Sequence, residues 1–266
     1  MRPLVTGALW DRIAPRLPPP PKRRFRFPGR RPIDRRKVLT GILFVLKTGI
    51  ARDDLPADLG RGCGKTCRHY LRVWHEAGVW LKLDAVLVAE LNGADRIDWG
   101  RALVDASFAA APEGGEDTGP NPTDRGKSGS EHHVLTDARG IPLNAATTAA
   151  NVTEVRQRLD VLVTMPPVGG KPGPDRELPD RIPGGRGYDS GPLRVVLRWL
   201  GVTPVPAERR AAHGSGLGVH RRSVERTIAG PHSFGRRRRR RDRLAGTQEA
   251  FLRLACALIC LGFVTG

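Results

Sequence analysis

Aromatic and cysteine residues are scarce in this 266-residue sequence: aromatics make up 5% of it and cysteines number four. With so few rings to stack on unpaired bases, a basic RNA-binding protein is disfavoured. Cys256 and Cys260 lie in an apolar helical pattern, where cysteine acts as a small hydrophobe. Cys63 and Cys67 lack the short spacing of zinc ligands. We therefore expect neither a structural zinc site nor disulfides.

Long apolar segments are also missing. The first residues, MRPLVTGALWDRIAPRL, are interrupted by charge and proline, unlike a secretory signal. The apolar run AFLRLACALICLGFVTG is shorter than a bilayer span and contains Arg253, so we interpret it as a buried helix. These features predict a cytoplasmic protein that makes no membrane contact.

Acidic residues are outnumbered, 27 against 45 lysines and arginines, which gives a net charge of +18. Such a balance indicates a polyanionic partner, because neutralising phosphates releases their counterions. The basic residues form several clusters along the chain, which favours nucleic acid over an anionic membrane surface or a single basic tail. Translation of GC-rich coding DNA would give the same arginine excess without any partner.

Helical patterns dominate residues 1–95, which we predict to be a small all-α DNA-binding domain. A short amphipathic helix is predicted up to about residue 17. A linker rich in proline and arginine follows at about residues 18–33 and should be extended and solvated. The next helix is predicted to begin after the N-cap Asp34 and to stop at Gly49.

The third helical pattern is GKTCRHYLRVWHEAGVWLKLDAVLVAEL, with Gly78 as a predicted break. Its candidate core positions are Leu71, Trp74, Val79 and Leu83. Lys65, Arg68 and Arg72 are predicted to stay outside the core, and Arg68 and Arg72 are the candidate DNA contacts. A helix, a break and a basic helix are the outline of a helix-turn-helix DNA reader, and equally of any three-helix bundle with a basic face.

From about residue 96 strands and helices alternate, which predicts a mixed α/β domain over residues 96–266. A short strand, Ala102 to Val104, is predicted to end on Asp105. A glycine-rich polar loop follows it, and a hairpin is predicted to turn at residues 137–140. The last helix is predicted over residues 247–262.

Two carboxylates are candidates for a divalent metal site. Phosphoryl transfer on DNA uses carboxylates that hold two metals about 3.5–4 Å apart, and Mg²⁺ prefers such hard oxygen ligands. Asp105 follows a strand among small residues, and Glu225 stands near the start of a helix in RRSVERTI. By themselves these positions are equally typical of a helix cap or a solvated charge.

A series of sequence segments strengthens the prediction of this metal site. In order they are KVLTGILFVLKTGIARDDLP, RIDWGRALVDASF, TGPNPTDRGKSGSEHHVLTDARGIPL, TAANV, GRGYDS, VERT and QEAFLRLACALICL. Together they resemble the DDE transposases of insertion sequences, in the group numbered four and five with a short N-terminal helical domain. The resemblance implies an RNase H-like core and an Asp, Asp, Glu triad that binds Mg²⁺ or Mn²⁺. Asp105 would be the first aspartate and Glu225 the glutamate.

The same resemblance implies that the second aspartate is missing. It should end the strand before Gly-Tyr-Asp-Ser, where Gly185 stands in IPGGRGYDS. Glycine offers no side-chain oxygen, and Asp189 is the nearby carboxylate that a functional variant would use instead. Pro231 would also end the Glu225 helix early. These departures predict a decayed copy with impaired catalysis; a sequencing error would give the same reading.

Further cations are candidates for contacts to phosphate. The resemblance implies that Arg226 and the arginines beyond it contact DNA. Lys127, in the loop Asp-Arg-Gly-Lys, would contact substrate phosphate or would belong to a plain surface loop. The run containing Arg236, Arg237 and Arg238 would track the DNA backbone or would form a solvated segment. Neighbouring His132 and His133 alternate across a strand, which favours packing over ligation.

The sequence therefore predicts a transposase that binds terminal inverted repeats and cuts and joins double-stranded DNA at transposon ends and target. Two protomers would pair two ends, so we expect a homo-oligomer on DNA. The alternative is a non-catalytic DNA-binding repressor derived from a transposase.

Overall fold

The computed structural model describes residues 3–20, 22, 25–27, 31–56, 62–183, 191–205, 234–238 and 240–266. Its helices and short helical turns are α1 (Gly7–Ile13) with a 3₁₀ turn (Ala14–Arg16), α2 (Arg35–Thr48), a 3₁₀ turn (Arg52–Asp54), α3 (Gly64–Glu76), α4 (Val79–Gly93), α5 (Glu154–Val163), α6 (Gly191–Trp199), α7 (Gly235–Arg238) and α8 (Ala245–Thr265). Its strands are β1 (Ala102–Ala110), β2 (Gly119–Pro120), β3 (Ser128–Asp137), β4 (Pro142–Ala149), β5 (Arg181–Pro183) and β6 (Thr203–Val205).

The ends of the N-terminal helices follow local chemistry, as predicted. The Asp34 carboxylate accepts a hydrogen bond from the Lys37 backbone N–H at 3.0 Å and so caps α2. Gly49 ends α2 in the left-handed conformation, with φ of 74°. Gly78, with φ of 69°, separates α3 from α4. Helix α1 is shorter than predicted and continues as a 3₁₀ turn because Pro15 removes a backbone donor.

The link between α2 and α3 differs from a tight helix-turn-helix. That motif joins its helices by three or four residues. Here residues 49–63 lie between them and include the 3₁₀ turn Arg52–Asp54. The start of α3 presses on this turn, since a side-chain carbon added at Gly64 would lie 1.9 Å from the Arg52 carbonyl oxygen. The described N-terminal helices therefore form a bundle whose basic helix is α3.

The sheet centres on an antiparallel meander. Strand β1 pairs with β3, and β3 pairs with β4. The β3–β4 hairpin turns at residues 137–140 as predicted, and the Asp137 carboxylate accepts backbone N–H bonds from Arg139 and Ile141 at 3.0 and 2.7 Å. The prediction that the first strand ends on Asp105 is wrong. Residues 106–110 also pair with β3, so the strand runs on to Ala110.

A second, two-stranded parallel sheet lies beside β1. Strand β5 lies against β1 and pairs in parallel with β6. The Asp180 N–H donates to the Trp99 carbonyl at 2.9 Å, which joins the segment entering β5 to the segment entering β1. Strands β5 and β6 thus form a separate two-stranded sheet that lies beside β1.

Helices cover both faces of the meander. Leu252 and Cys256 of α8 pack against Val134 and Ala145 on one face. On the other face the Asn144 side-chain amide donates to a carbonyl of α5 at 2.7 Å. The chain thus has the predicted mixed α/β architecture, with helices at its N-terminal end.

The C-terminal apolar segment forms the long helix α8, which contacts α3, α4 and β4. The prediction that it is too short for a bilayer is wrong on length, because its 21 residues reach the span of a membrane. Its burial is confirmed: 61% of its most apolar window is buried inside the protein. Core residues of the N-terminal helices and of the sheet form one continuous apolar cluster around this helix.

Candidate active site

Asp105 lies on the α8-facing side of the sheet. Within β1 it is opposite Val134 of β3, which is opposite Ala145 of β4. Directly opposite residues share a face, and Val134 and Ala145 contact α8. The Asp105 side chain is half-buried, and its Oδ1 accepts a hydrogen bond from the Ala106 N–H at 2.8 Å. It is a carboxylate held on β1, next to the central strand β3.

The two adjacent histidines point to opposite faces, as the alternation predicts. His132 shares the face of Asp105, and its Nδ1 lies 3.2 Å from the Thr147 hydroxyl. His133 lies on the α5 face, 3.0 Å from the Thr148 hydroxyl. Burial, reinforced by the charge of Arg158, lowers the pKa of His133 to about 4. A neutral, buried imidazole fits a packing role for His133.

The other members of the predicted triad lie outside the described residues. These members are position 185, occupied by glycine, and Glu225. Asp189, Arg226 and Pro231 also lie outside the described residues. In the described part of the chain, no three His, Cys, Asp or Glu side chains gather as a metal site. Asp105 contributes one hard oxygen donor of the kind that Mg²⁺ prefers.

The cysteines occupy apolar positions for the most part. Cys256 and Cys260 are buried in α8, as predicted, and Cys67 is buried beneath α2. Burial raises the pKa of the Cys67 thiol to about 11, so at neutral pH it stays a thiol and acts as a small hydrophobe.

Helix α3 presents the predicted basic face. Leu71 and Trp74 point into the core, together with Val79 and Leu83 of α4, and all four are 1% exposed or less. Lys65, Arg68 and Arg72 lie on the exposed side. Arg72 forms an ion pair with Glu76, Nε to Oε1 3.4 Å, one turn further along the helix.

Lys127 forms an ion pair within its own surface loop. Its ammonium lies 3.0 Å from the Asp124 carboxylate, and both side chains are largely exposed. The Asn121 carboxamide oxygen accepts the Thr123 N–H at 2.9 Å and shapes the same turn. An exposed pair of this kind contributes little to stability, so it leaves Lys127 able to exchange Asp124 for a phosphate.

Arg236 differs from its expected place on a DNA-facing surface. It is 2% exposed, and its Nε donates to the Asp242 Oδ2 at 3.2 Å. Its Nη1 donates to the Ile50 carbonyl at 3.0 Å, and its guanidinium lies 5.8 Å from the Phe251 ring centre. A guanidinium held this way inside the protein is not available to phosphate. The side chains of Arg237 and Arg238 lie outside the described part of the structure.

The buried ion network around Arg236 escaped the sequence analysis. Asp242 also binds Arg52, which comes from the turn after α2. Arg240 is 1% exposed and donates to the carbonyls of Asp242 and Asp117 at 2.8 and 3.1 Å. The available signal was a single acid, Asp242, directly after six consecutive arginines. Because buried guanidiniums need a counter-charge, that acid marks the run as partly internal.

Two protein families match the chain. Residues 5–83 match the family described as "Putative transposase of IS4/5 family", and residues 100–260 match "Transposase DDE domain". "Putative transposase for insertion sequence element IS402" from Burkholderia cepacia is 45% identical over 174 residues, which are 65% of this chain and 81% of that protein. "Insertion element IS402 uncharacterized 16.2 kDa protein" from the same organism is 50% identical over 121 residues, 46% of this chain and 82% of its own length.

The DDE family spans β1 with Asp105, the remainder of the sheet and most of α8. The other family spans the N-terminal helices through α3 and into α4. Transposases act on DNA, and DDE domains generally use divalent metals. The chain belongs to the DDE transposases of insertion sequences, in the IS4/IS5 group.

Proposed function

We propose that this transposase binds the terminal inverted repeats of its element and cuts and joins DNA strands at a metal site built on Asp105 and Glu225. The observation that carries the proposal is the position of Asp105, a half-buried carboxylate on β1, the first strand of the family's catalytic domain. An antiparallel sheet with helices on both faces, and a small parallel sheet beside β1, support an RNase H-like core for residues 96–266.

The place of the missing aspartate is supported by the strand geometry. The segments that enter β1 and β5 are joined by a hydrogen bond from the Asp180 N–H to the Trp99 carbonyl. Asp105 comes six positions after Trp99, and Gly185 comes five positions after Asp180. Position 185 follows β5, the strand that contacts β1, and glycine there offers no oxygen ligand.

Asp105 and Glu225 would hold Mg²⁺, or Mn²⁺, whose charge would stabilise the phosphate under attack. With Gly185 contributing no oxygen, the set retains two of three carboxylates, and we propose that DNA strand cleavage by this chain is strongly impaired. Asp189 is the nearby acid that would have to compensate.

DNA binding is assigned to the N-terminal helices, residues 1–95. The supports are the exposed cations Lys65, Arg68 and Arg72 along α3 and the net charge of +18. Lys127, and Arg226 with Arg237 and Arg238, are kept as further phosphate contacts, and Arg236 is not. The boundary near residue 95 falls between α4 and β1 and between the two family matches.

We further propose that the protein acts in the cytoplasm and that two copies assemble on DNA, since joining two transposon ends requires two catalytic sites at one place.

A strand-cleavage assay tests the proposal. The full chain is incubated with a labelled duplex carrying the element's terminal repeat and with Mg²⁺ or Mn²⁺. Binding with weak or no cleavage is expected, and robust cleavage by the unmodified chain would contradict the impairment. A duplex of the same length with scrambled sequence separates recognition of the repeat from general affinity for DNA.

The second candidate is a repressor that binds the repeats without catalysis, and Gly185 is the observation that favours it. For a repressor, binding is expected to be salt-dependent and unchanged by Asp105→Ala. Cleavage that appears on Gly185→Asp and disappears again on adding Asp105→Asn would argue for a transposase that has lost one ligand.

A further inference from the structure

The linker between α1 and α2 carries two phenylalanines in water. Phe25 is 104% exposed and Phe27 is 77% exposed, the first and third largest exposures among the large apolar side chains of the described residues. A fully exposed phenylalanine gains nothing from folding, because it keeps its apolar area in contact with water. Two of them separated by one residue therefore suggest a surface that is covered by a partner.

The positive charges around these rings favour a polyanionic partner. Six cations lie within residues 18–33: Lys22, Arg23, Arg24, Arg26, Arg30 and Arg31. No acid occurs between Asp11 and Asp34. An arginine stands between the two phenylalanines, so any partner that meets the rings also meets the cations. Alternating positive and aromatic side chains fit a phosphate backbone with apolar spaces beside it, which describes a DNA groove.

The linker is held at both ends on the helices. Leu17 and Ile33 are partly buried against the hydrophobic core. Ile33 also presses on the segment that starts α3: a side-chain carbon added at Gly62 would lie 3.0 Å from its Cδ1. One end of the linker is thereby fixed next to the N-terminal end of α3, whose exposed side carries Arg68.

The reach of the linker matches the distance to a neighbouring groove. Sixteen residues that run out and back reach roughly 25 Å from their anchors. Prolines at positions 18–20 stiffen the outgoing part. A minor groove adjoining a major-groove site lies about half a helical turn away, roughly 17 Å. The linker is therefore long enough to reach the minor groove beside a major-groove site occupied by α3.

We infer that the linker is a second DNA-binding element that enters the minor groove, where Phe25 and Phe27 wedge between base pairs and bend the duplex. Apolar wedges of this kind unstack a base step and kink DNA toward the major groove. The inference rests on the proposed DNA binding, and it adds to it a named pair of residues and a measurable deformation of the DNA.

The test uses the full chain and a 30-base-pair duplex of the terminal repeat with a fluorophore at each end. The wild-type chain is expected to bring the two ends together on binding. Phe25→Ala with Phe27→Ala should weaken binding about tenfold or more and abolish the bend, because aromatic contact with bases is lost. Phe25→Leu with Phe27→Leu should keep the bend, since leucine is also a wedge.

Matched variants distinguish the effect of the phenylalanine rings from the effect of the linker cations. Changing Lys22, Arg26 and Arg31 to Gln should lower the slope of log K against log salt by about 2.7, whereas the alanine pair leaves that slope unchanged. Trp199→Ala removes an equally prominent ring, 83% exposed on α6, and should change neither affinity nor bend. An unchanged urea midpoint for each variant shows that the fold is intact.

Different outcomes would contradict the linker inference and the proposed DNA binding. If the wild-type chain binds the repeat and the alanine pair binds and bends it equally well, the linker inference is wrong and the proposed function stands. If the wild-type chain binds no duplex, even at low salt, the proposed DNA binding is wrong and the linker inference with it. If the alanine pair loses binding only to phosphatidylserine vesicles, the rings serve a membrane and the inference is again wrong.

Discussion

Arg236 and Asp242 form an ion pair in which both side chains are 2% exposed or less, and the same carboxylate binds Arg52 from the turn after α2. One acid thus balances Arg52 and Arg236, which lie 184 residues apart in the chain (236 − 52). Burying such a pair is costly, and removing one partner leaves an uncompensated charge inside the protein. The network therefore joins the N-terminal helices to the segment that precedes α8.

Asp242→Ala should lower the free energy of unfolding by about 3–5 kcal/mol, since two guanidiniums lose their counter-charge. Urea titration followed by far-ultraviolet circular dichroism measures this. Glu76→Gln is the control, because it removes an exposed ion pair with Arg72 and should cost about 0.5 kcal/mol. Equal effects of the two substitutions would mean that the buried network does not stabilise the fold.

Gly49 and Gly78 form a matched pair for a second prediction. Both have positive φ, 74° and 69°, so alanine is strained at either. A side-chain carbon at Gly49 would also lie 2.6 Å from the Gly235 carbonyl carbon, whereas Gly78 meets only a lysine methylene at 3.9 Å. Gly49→Ala should therefore destabilise the protein by about 1–3 kcal/mol more than Gly78→Ala. Similar unfolding midpoints would show that α7 does not pack closely against the end of α2.

Protonation of His133 predicts a loss of stability in acid. In the unfolded chain histidine takes up a proton below about pH 6.5, whereas burial delays this in the native protein to about pH 4. The unfolded state therefore binds more protons between these values, and stability falls as the pH falls.

His133→Gln provides the comparison. Relative to this variant, the wild-type protein should lose about 2 kcal/mol of unfolding free energy between pH 7 and pH 5. Glutamine can still hydrogen-bond to the Thr148 hydroxyl, which limits other effects of the change. If the free energy of unfolding varies with pH in the same way for both proteins, His133 takes up its proton at the same pH in the native and unfolded states, which would contradict the prediction.

Restoring an aspartate at position 185 should raise cleavage of the terminal repeat in Mg²⁺ by at least about tenfold, because a further carboxylate joins Asp105. Adding Asp105→Asn to Gly185→Asp should return cleavage to the starting level while DNA affinity is kept. If Gly185→Asp has no effect, the change at Pro231 limits activity more than the missing ligand does.

Helix α3 gives a prediction for salt dependence. Arg68→Gln should reduce the slope of log K against log salt by about 0.9, the value for one phosphate contact. Arg72→Gln should have a smaller effect, since Arg72 already pairs with Glu76. Lys171→Gln is the control, as Lys171 pairs with Asp95 beyond the end of α4. If all three variants give the same slope of log K against log salt, α3 does not contact DNA.

Local signals in the sequence predicted the local structure well. Asp34, Gly49 and Gly78 act through their own side chain or backbone freedom, and all three lie where their chemistry places them. The extension of β1 beyond Asp105 could not be predicted in the same way, because Ala-Ser-Phe-Ala-Ala becomes a strand by pairing with β3. Pairing partners distant in sequence decide such segments.

The burial of Arg236 illustrates the same limit within the candidate site. A run of arginines predicts a solvated or DNA-facing segment from composition alone. Its burial depends on Asp242, on the Ile50 carbonyl and on the Phe251 ring, which the fold brings together from separate places. The family pattern supplied the catalytic positions, and the strand neighbours of Asp105 became visible only in three dimensions.

Helix α8 has a consequence for the order in which the protein matures on the ribosome. It contacts α3 and α4 as well as β4. The apolar sides of those early helices stay uncovered until residues 245–265 have been synthesised. A polypeptide cut short by a stop codon before that point would expose them, and aggregation or proteolysis would remove it. We therefore expect interrupted translation to leave little N-terminal fragment in the cell.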